Sequence, residues 1–135
     1  MQHDEFIGQV QHRAHLSSRG DAEVATRATL ETLAERLAGN EPNNAAAQLP
    51  KGIAQYLQHQ DAGAGIRFSL DEFFQRISLK EGVELPQAVH HARAVIEVLT
   101  EAISSGEIDD LRSQLPSEFD PLFEAGSQGK MRFNT

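Results

Sequence analysis

The chain has 135 residues, a formal net charge of −8, pI ≈ 5.1 and no cysteine. That length suits one compact domain with a core of its own. The acidic balance argues against phosphate-backbone recognition and against an anionic membrane surface, and the lack of thiols excludes disulfides, thiolate zinc sites and cysteine nucleophiles.

In chain order, the first predicted helix runs from about His3 to Leu16, with Phe6, Ile7, Val10 and Ala14 on one face. Ser17 to Asp21 reads as a turn that ends it and caps the next. The second helix, about Asp21 to Ala38, carries the stripe Leu30, Leu33, Ala34 and Leu37. Gly39-Asn40 and Pro42 stop it. Short helices follow over Asn43–Gln48 and Pro50–Gln58, the proline lacking only a donor that is unpaired at a helix start. Asp61 to Gly65 is small and glycine-rich and predicts a flexible linker.

The fifth helix has the clearest start. Ser69 and Glu72 have capping-box spacing, and Phe68 with Phe73 has that of a hydrophobic staple. Gly82 closes it. The sixth helix, about Pro86 to Ser104, carries Val89, Ala92, Ile96, Leu99 and Ile103 at alternating steps of three and four. Ile108 and Leu111 mark a seventh helix, and Pro116 to Phe123 an eighth. Gly126 to Thr135 reads as a loose tail. No segment alternates like a strand, so the predicted fold class is all-α.

The chain also repeats itself. Asp4-Glu5-Phe6 returns as Asp71-Glu72-Phe73, at an offset of 67. Arg27-Ala28 returns as Arg93-Ala94 and Gln48-Leu49-Pro50 as Gln114-Leu115-Pro116, both at an offset of 66. Between Arg27–Leu57 and Arg93–Phe123, nine of 31 positions are identical. Others exchange one apolar residue for another, such as Leu30 for Ile96 and Ile53 for Phe119, as a preserved packing pattern requires. The prediction is two tandem, pseudo-symmetric four-helix units: residues 1–60 and 68–125, a linker at 61–67 and a tail at 126–135.

Asp-Glu-Phe, Arg-Ala before an apolar-Glu-x-Leu helix, Ser-Gly-Glu and Gln-Leu-Pro, in that order, resemble the bacterial family known as domain of unknown function 2267. The likeness covers about residues 3–125. The second copy fits better: Ser105-Gly106-Glu107 keeps the pattern where Gly39-Asn40-Glu41 departs from it. The resemblance implies a small, soluble, all-helical bacterial protein and carries no catalytic residue with it.

Among polar residues, Arg27 and Arg93 occupy the same place in both copies. A guanidinium is a planar fork of donors suited to carboxylates and other anions. The leading reading is structural, each arginine tying helices together through a carboxylate such as Glu31, Glu97, Asp4 or Asp71; the alternative makes Arg27 and Arg93 the candidate ligand-binding residues. The histidines show no metal pattern: His12 and His15 are three apart, His90 and His91 are adjacent, and no His-Glu-x-x-His or Glu-x-x-His occurs. They are expected on the surface, with no metal and no cofactor. Glu107 to Asp110 lacks the ligand spacing of a calcium loop and reads as helix capping. There is no nucleophile elbow, no phosphate loop and no aromatic-basic stacking surface. No run of about 18 apolar residues predicts a membrane span, and the N-terminus lacks a secretory pattern, so a cytoplasmic location is expected. The expected function is non-enzymatic: a module that binds a protein partner or its own copy. The alternative is a small-ligand or anion sensor using a cavity near Arg27 and Arg93.

Overall fold

The computed structural model describes residues 1–129 and 131. Among these residues there are eight α-helices: α1 (His3–Arg13), α2 (Arg19–Arg36), α3 (Glu41–Ala46), α4 (Lys51–Ala54), α5 (Leu70–Glu81), α6 (Leu85–Ala102), α7 (Ser105–Ser113) and α8 (Asp120–Glu124). A 3-10 turn, Gln55–Leu57, prolongs α4, and another, Ser117–Phe119, leads into α8. No strand occurs among the described residues; a single antiparallel bridge joins Ala38 to Ala64.

Helix starts follow local chemistry. Ser18, Ser69 and Ser104 each accept a backbone N–H three residues on, at 3.1 Å, and so satisfy donors that the first turn leaves free. The expected staple forms, with the Phe68 and Phe73 rings 6.4 Å apart. Only half of the expected capping box is present at Ser69. Glu72 turns away to Arg76 at 2.7 Å, and Glu118 from the second 3-10 turn accepts the Leu70 N–H at 2.9 Å.

The two long helices lie at the centre. α2 packs on α1, α5 and α6, and α6 packs on α1, α5 and α8 as well. The predicted seams are largely buried: Leu30 and Leu33 on α2 with Leu37 at its cap, and Ala92, Ile96 and Leu99 on α6 with Ile103 at its cap, while Val89 is half-buried. α2 is buried more widely than its leucines require. Thr26, Thr29 and Thr32 are also fully enclosed, at positions answered at offset 66 by Ala92, Val95 and Val98.

Two segments differ from expectation. The linker is not a loose crossing: Gly63, Gly65 and Ile66 donate to the carbonyls of Ala34, Leu37 and Glu35 at 2.8–3.0 Å. These are acceptors that the end of α2 leaves unpaired, so the linker completes the helix. The tail is docked over its first residues. Ser127 is 2% exposed and bonds Glu97 through both its N–H and its hydroxyl at 2.9 Å, while Gln128 donates to the Arg13 carbonyl at 2.9 Å. The rest of the predicted tail, residues 130 and 132–135, lies outside the described residues.

Contacts between the front and back portions come in matched pairs. Gln114 accepts the Ala38 N–H at 2.9 Å, and Gln48 accepts the Ser104 N–H at 2.7 Å. Arg13 on α1 reaches Glu101 on α6 at 2.6 Å, and Lys80 on α5 reaches Glu35 on α2 at 2.7 Å.

Candidate functional site

α1 ends in a turn where His15 adopts a left-handed backbone, φ +54°. It is the one non-glycine among the described residues with positive φ. At offset 67 stands Gly82, φ +73°, which ends α5 in the same way. Glycine adopts this conformation freely, whereas a residue with a Cβ is strained by about 1–2 kcal/mol. The strained turn sets the His15 ring parallel to His90 on α6, with centroids 5.7 Å apart and planes 7° from parallel.

His91 follows on the same helix and points elsewhere, its ring centroid 6.2 Å from that of His90. It is 7% exposed, and its Nδ1 is hydrogen-bonded to an Oε2 of Glu81, the last residue of α5. The second Glu81 oxygen is buried without a partner among the described residues. With Nδ1 turned to Glu81, Nε2 is the His91 nitrogen left for another partner. His15, His90, His91 and Glu81 wall one open cavity of about 670 Å³, shared with Asp21 and Gln87 and floored by apolar side chains such as Val24 and Pro86. Burial pushes the His90 imidazole below its ordinary pKa, helped by His91, His15 and Arg93 and opposed by a hydrogen bond to the Arg13 backbone. The site therefore sets imidazole groups beside a buried carboxylate, chemistry that can exchange hydrogen bonds or coordinate a cation.

The expectation of surface histidines fails at His91, because α5 and α6 fold back over it. The sequence signal was weak: Glu81 and His91 stand ten residues apart on different helices.

Arg27 and Arg93 have different surroundings. Arg27 is 66% exposed along its side chain and pairs with Glu31 one turn on, at 3.0 Å. Arg93 donates from Nε to the Gly126 carbonyl at 2.9 Å and from Nη2 to the Gly129 carbonyl, holding the docked tail. Neither lines the histidine cavity. Arg13, by contrast, ties α1 to α6: it is bonded to Glu97 at 3.0 Å and to both oxygens of Glu101 at 2.6 and 2.8 Å. At Glu97 burial pushes the carboxyl up, but the Ser127 N–H and hydroxyl, and then Arg13, hold it below its ordinary range; at Glu101 Arg13 does so against burial.

Two further polar clusters stand apart from the cavity. Glu35, His59 and Asp61 bring three possible ligand atoms within 4.8 Å of one another. Two of the three are already engaged. Lys80 sits 2.7 Å from Glu35, His59 Nε2 bonds the Glu31 carbonyl at 2.9 Å, and the Asp61 N–H reaches His59 Nδ1 at 3.3 Å. The ammonium already balances the carboxylate, which makes this an internal ion-pair network. The second cluster lies where α3 meets α7. Glu41 is 9% exposed, and one oxygen each of Glu41 and Glu107 is buried without a partner among the described residues. Burial first, then Glu107 and Asp110, raises the Glu41 carboxyl to about 7.

Residues 3–122 match the model of a family described as "Uncharacterized conserved protein (DUF2267)". The chain belongs to this family, as the ordered motifs suggested. A search of curated proteins found no match. Among the described residues, no helix is long and apolar enough to cross a membrane.

Proposed function

We propose that the protein is a non-enzymatic helical module of two tandem units, related by an approximate twofold, which binds a small organic ligand in the histidine-lined cavity. The paired contacts support the twofold. Gln48 and Gln114 are equivalent at offset 66, as are Ala38 and Ser104, and each glutamine holds the other half's backbone. Arg13 to Glu101 and Lys80 to Glu35 are the same exchange in the ion pairs. The offset changes between His15/Gly82 at 67 and the helix caps Ser18/Glu84 at 66, so the extra residue falls in the α1–α2 turn that carries His15.

The observation that carries the ligand reading is the buried His91–Glu81 pair facing an open cavity of about 670 Å³. A cavity of this size lies within the usual range for small-molecule sites, and a few polar groups on an apolar floor supply orientation. This moves the ligand-binding reading away from Arg27 and Arg93.

The test is a thermal-shift screen of small acids, amines and phosphates in the presence of a chelator. A ligand at about 100 times its Kd adds roughly 2.7 kcal/mol and a rise of several degrees. Val24 is half-exposed on the cavity wall, so Val24→Trp fills the space without entering the core. The expected result is a shift in the parent protein that this variant loses. No shift with any compound, or an unchanged shift in the variant, overturns the reading.

Self-association is the second reading. Leu79, 84% exposed on α5, and Leu85, 43% exposed at the start of α6, are large apolar side chains that face solvent on either side of the α5–α6 corner. Light scattering that gives a monomer mass removes it.

A further inference from the structure

We propose that the same cavity is a site for a divalent transition-metal ion of the zinc, nickel or copper class, bound through imidazole nitrogens of His15, His90 and His91. The inference deepens the cavity reading, since it needs that cavity to admit a ligand.

Three observations converge. His91 turns its Nδ1 to the buried Glu81 carboxylate, which leaves Nε2 as the nitrogen available to an ion. A carboxylate placed in this way fixes the tautomer and raises the basicity of a ligating histidine. His15 holds a strained left-handed backbone where the equivalent position is glycine, and its ring lands on His90. Strain of this kind is stored where surrounding structure and function demand it. Finally, the three rings wall one cavity, with neighbouring centroids 5.7 and 6.2 Å apart.

Imidazole selects zinc, copper or nickel over the harder magnesium and calcium ions, which prefer oxygen. A metal–nitrogen bond is about 2.0–2.1 Å. In the structure the three nitrogens do not all lie within 4.8 Å of one another. His15 is exposed and sits on a turn, so it is the ring placed to swing inward. The buried Glu81 contributes negative charge against the incoming dication.

The experiment uses the full chain with any affinity tag removed. Zn²⁺ alone is titrated by calorimetry, and Co²⁺ alone is followed by visible absorption. The expected result is saturable binding at one ion per chain, a cobalt d–d band, and at least tenfold weaker binding at pH 5.5 than at pH 7.5. His15→Gly installs the residue found at the equivalent turn, so it keeps the fold, and it is expected to bind Zn²⁺ at least tenfold more weakly. His90→Gln is expected to do the same. No saturable heat and no cobalt band overturn the proposal, as does His15→Gly binding within threefold of the parent. A positive organic-ligand screen without metal binding removes only the metal; failure of both removes the cavity reading too.

Discussion

Thr29 sits fully buried on α2, and its hydroxyl has no partner among the described residues. Thr26 is in the same position, whereas Thr32 returns its hydroxyl to the Ala28 carbonyl at 2.7 Å. A buried hydroxyl without a partner costs about 1–3 kcal/mol relative to an apolar group of the same shape. The equivalent of Thr29 is Val95, a near-isostere that occupies the corresponding helix without the penalty. Thr29→Val is therefore expected to stabilise the protein by about 1 kcal/mol, read as a higher urea midpoint at unchanged slope. An unchanged or lower midpoint would show that the hydroxyl is satisfied after all. The leucine stripe of α2 was legible in the sequence, but these threonines were not. Their burial depends on α5 and α6 closing over a second face of α2, which helical periodicity alone does not report.

The most informative element is the junction between the halves. Gly63 has φ +82°, and a Cβ placed there would stand 2.3 Å from the Gly39 carbonyl oxygen. Gly39 in turn donates its N–H to the Gly63 carbonyl at 2.9 Å. Backbone presses on backbone, so only glycine fits. Gly63→Ala is expected to destabilise by about 2 kcal/mol or more, from the strained dihedral and the displaced chain. Chemical denaturation measures it, and Gly20→Ala, with only a flexible serine hydroxyl 3.8 Å away, is the control expected to stay near neutral. Helix starts and stops such as Ser69, Gly82 and Pro86 could be read from the sequence because their chemistry is local. The glycines of residues 61–65 looked like freedom because composition does not reveal which carbonyls they complete. The histidine cavity was hidden for a related reason: it forms only where the α1–α2 and α5–α6 turns meet.

At the scale of the whole molecule, the face between α3 and α7 makes stability depend on pH. Glu41 has its carboxyl raised from 4.5 to about 7, by burial first and then by Glu107. Of the elements packed on α3, α7 presents Glu107 and Asp110; α4 carries the exposed Lys51, and the following 3-10 turn carries Tyr56, whose hydroxyl is bonded to Glu23 at 2.7 Å. A raised folded pKa means the native state holds the proton more tightly. The stabilisation is fully present below about pH 4.5 and is lost as pH rises through about 7. His90 acts in the opposite sense, because its lowered pKa removes stability as pH falls below the ordinary histidine range. The contribution of Glu41 is therefore isolated by comparing the parent with Glu41→Gln, which keeps the shape and cannot ionise. Between pH 5 and 8 the parent is expected to lose roughly 2 kcal/mol relative to the variant. Parallel melting-temperature profiles for the two proteins would contradict this.

The crossed glutamines have one more consequence. Gln48 and Gln114 each reach over to hold the backbone beyond the other half's long helix. A lone half carries both the hand and the hold, so two copies of it could clasp each other in the same manner. On the two-unit reading proposed above, the glycine junction acts as a tether that keeps the two clasping parts at high effective concentration.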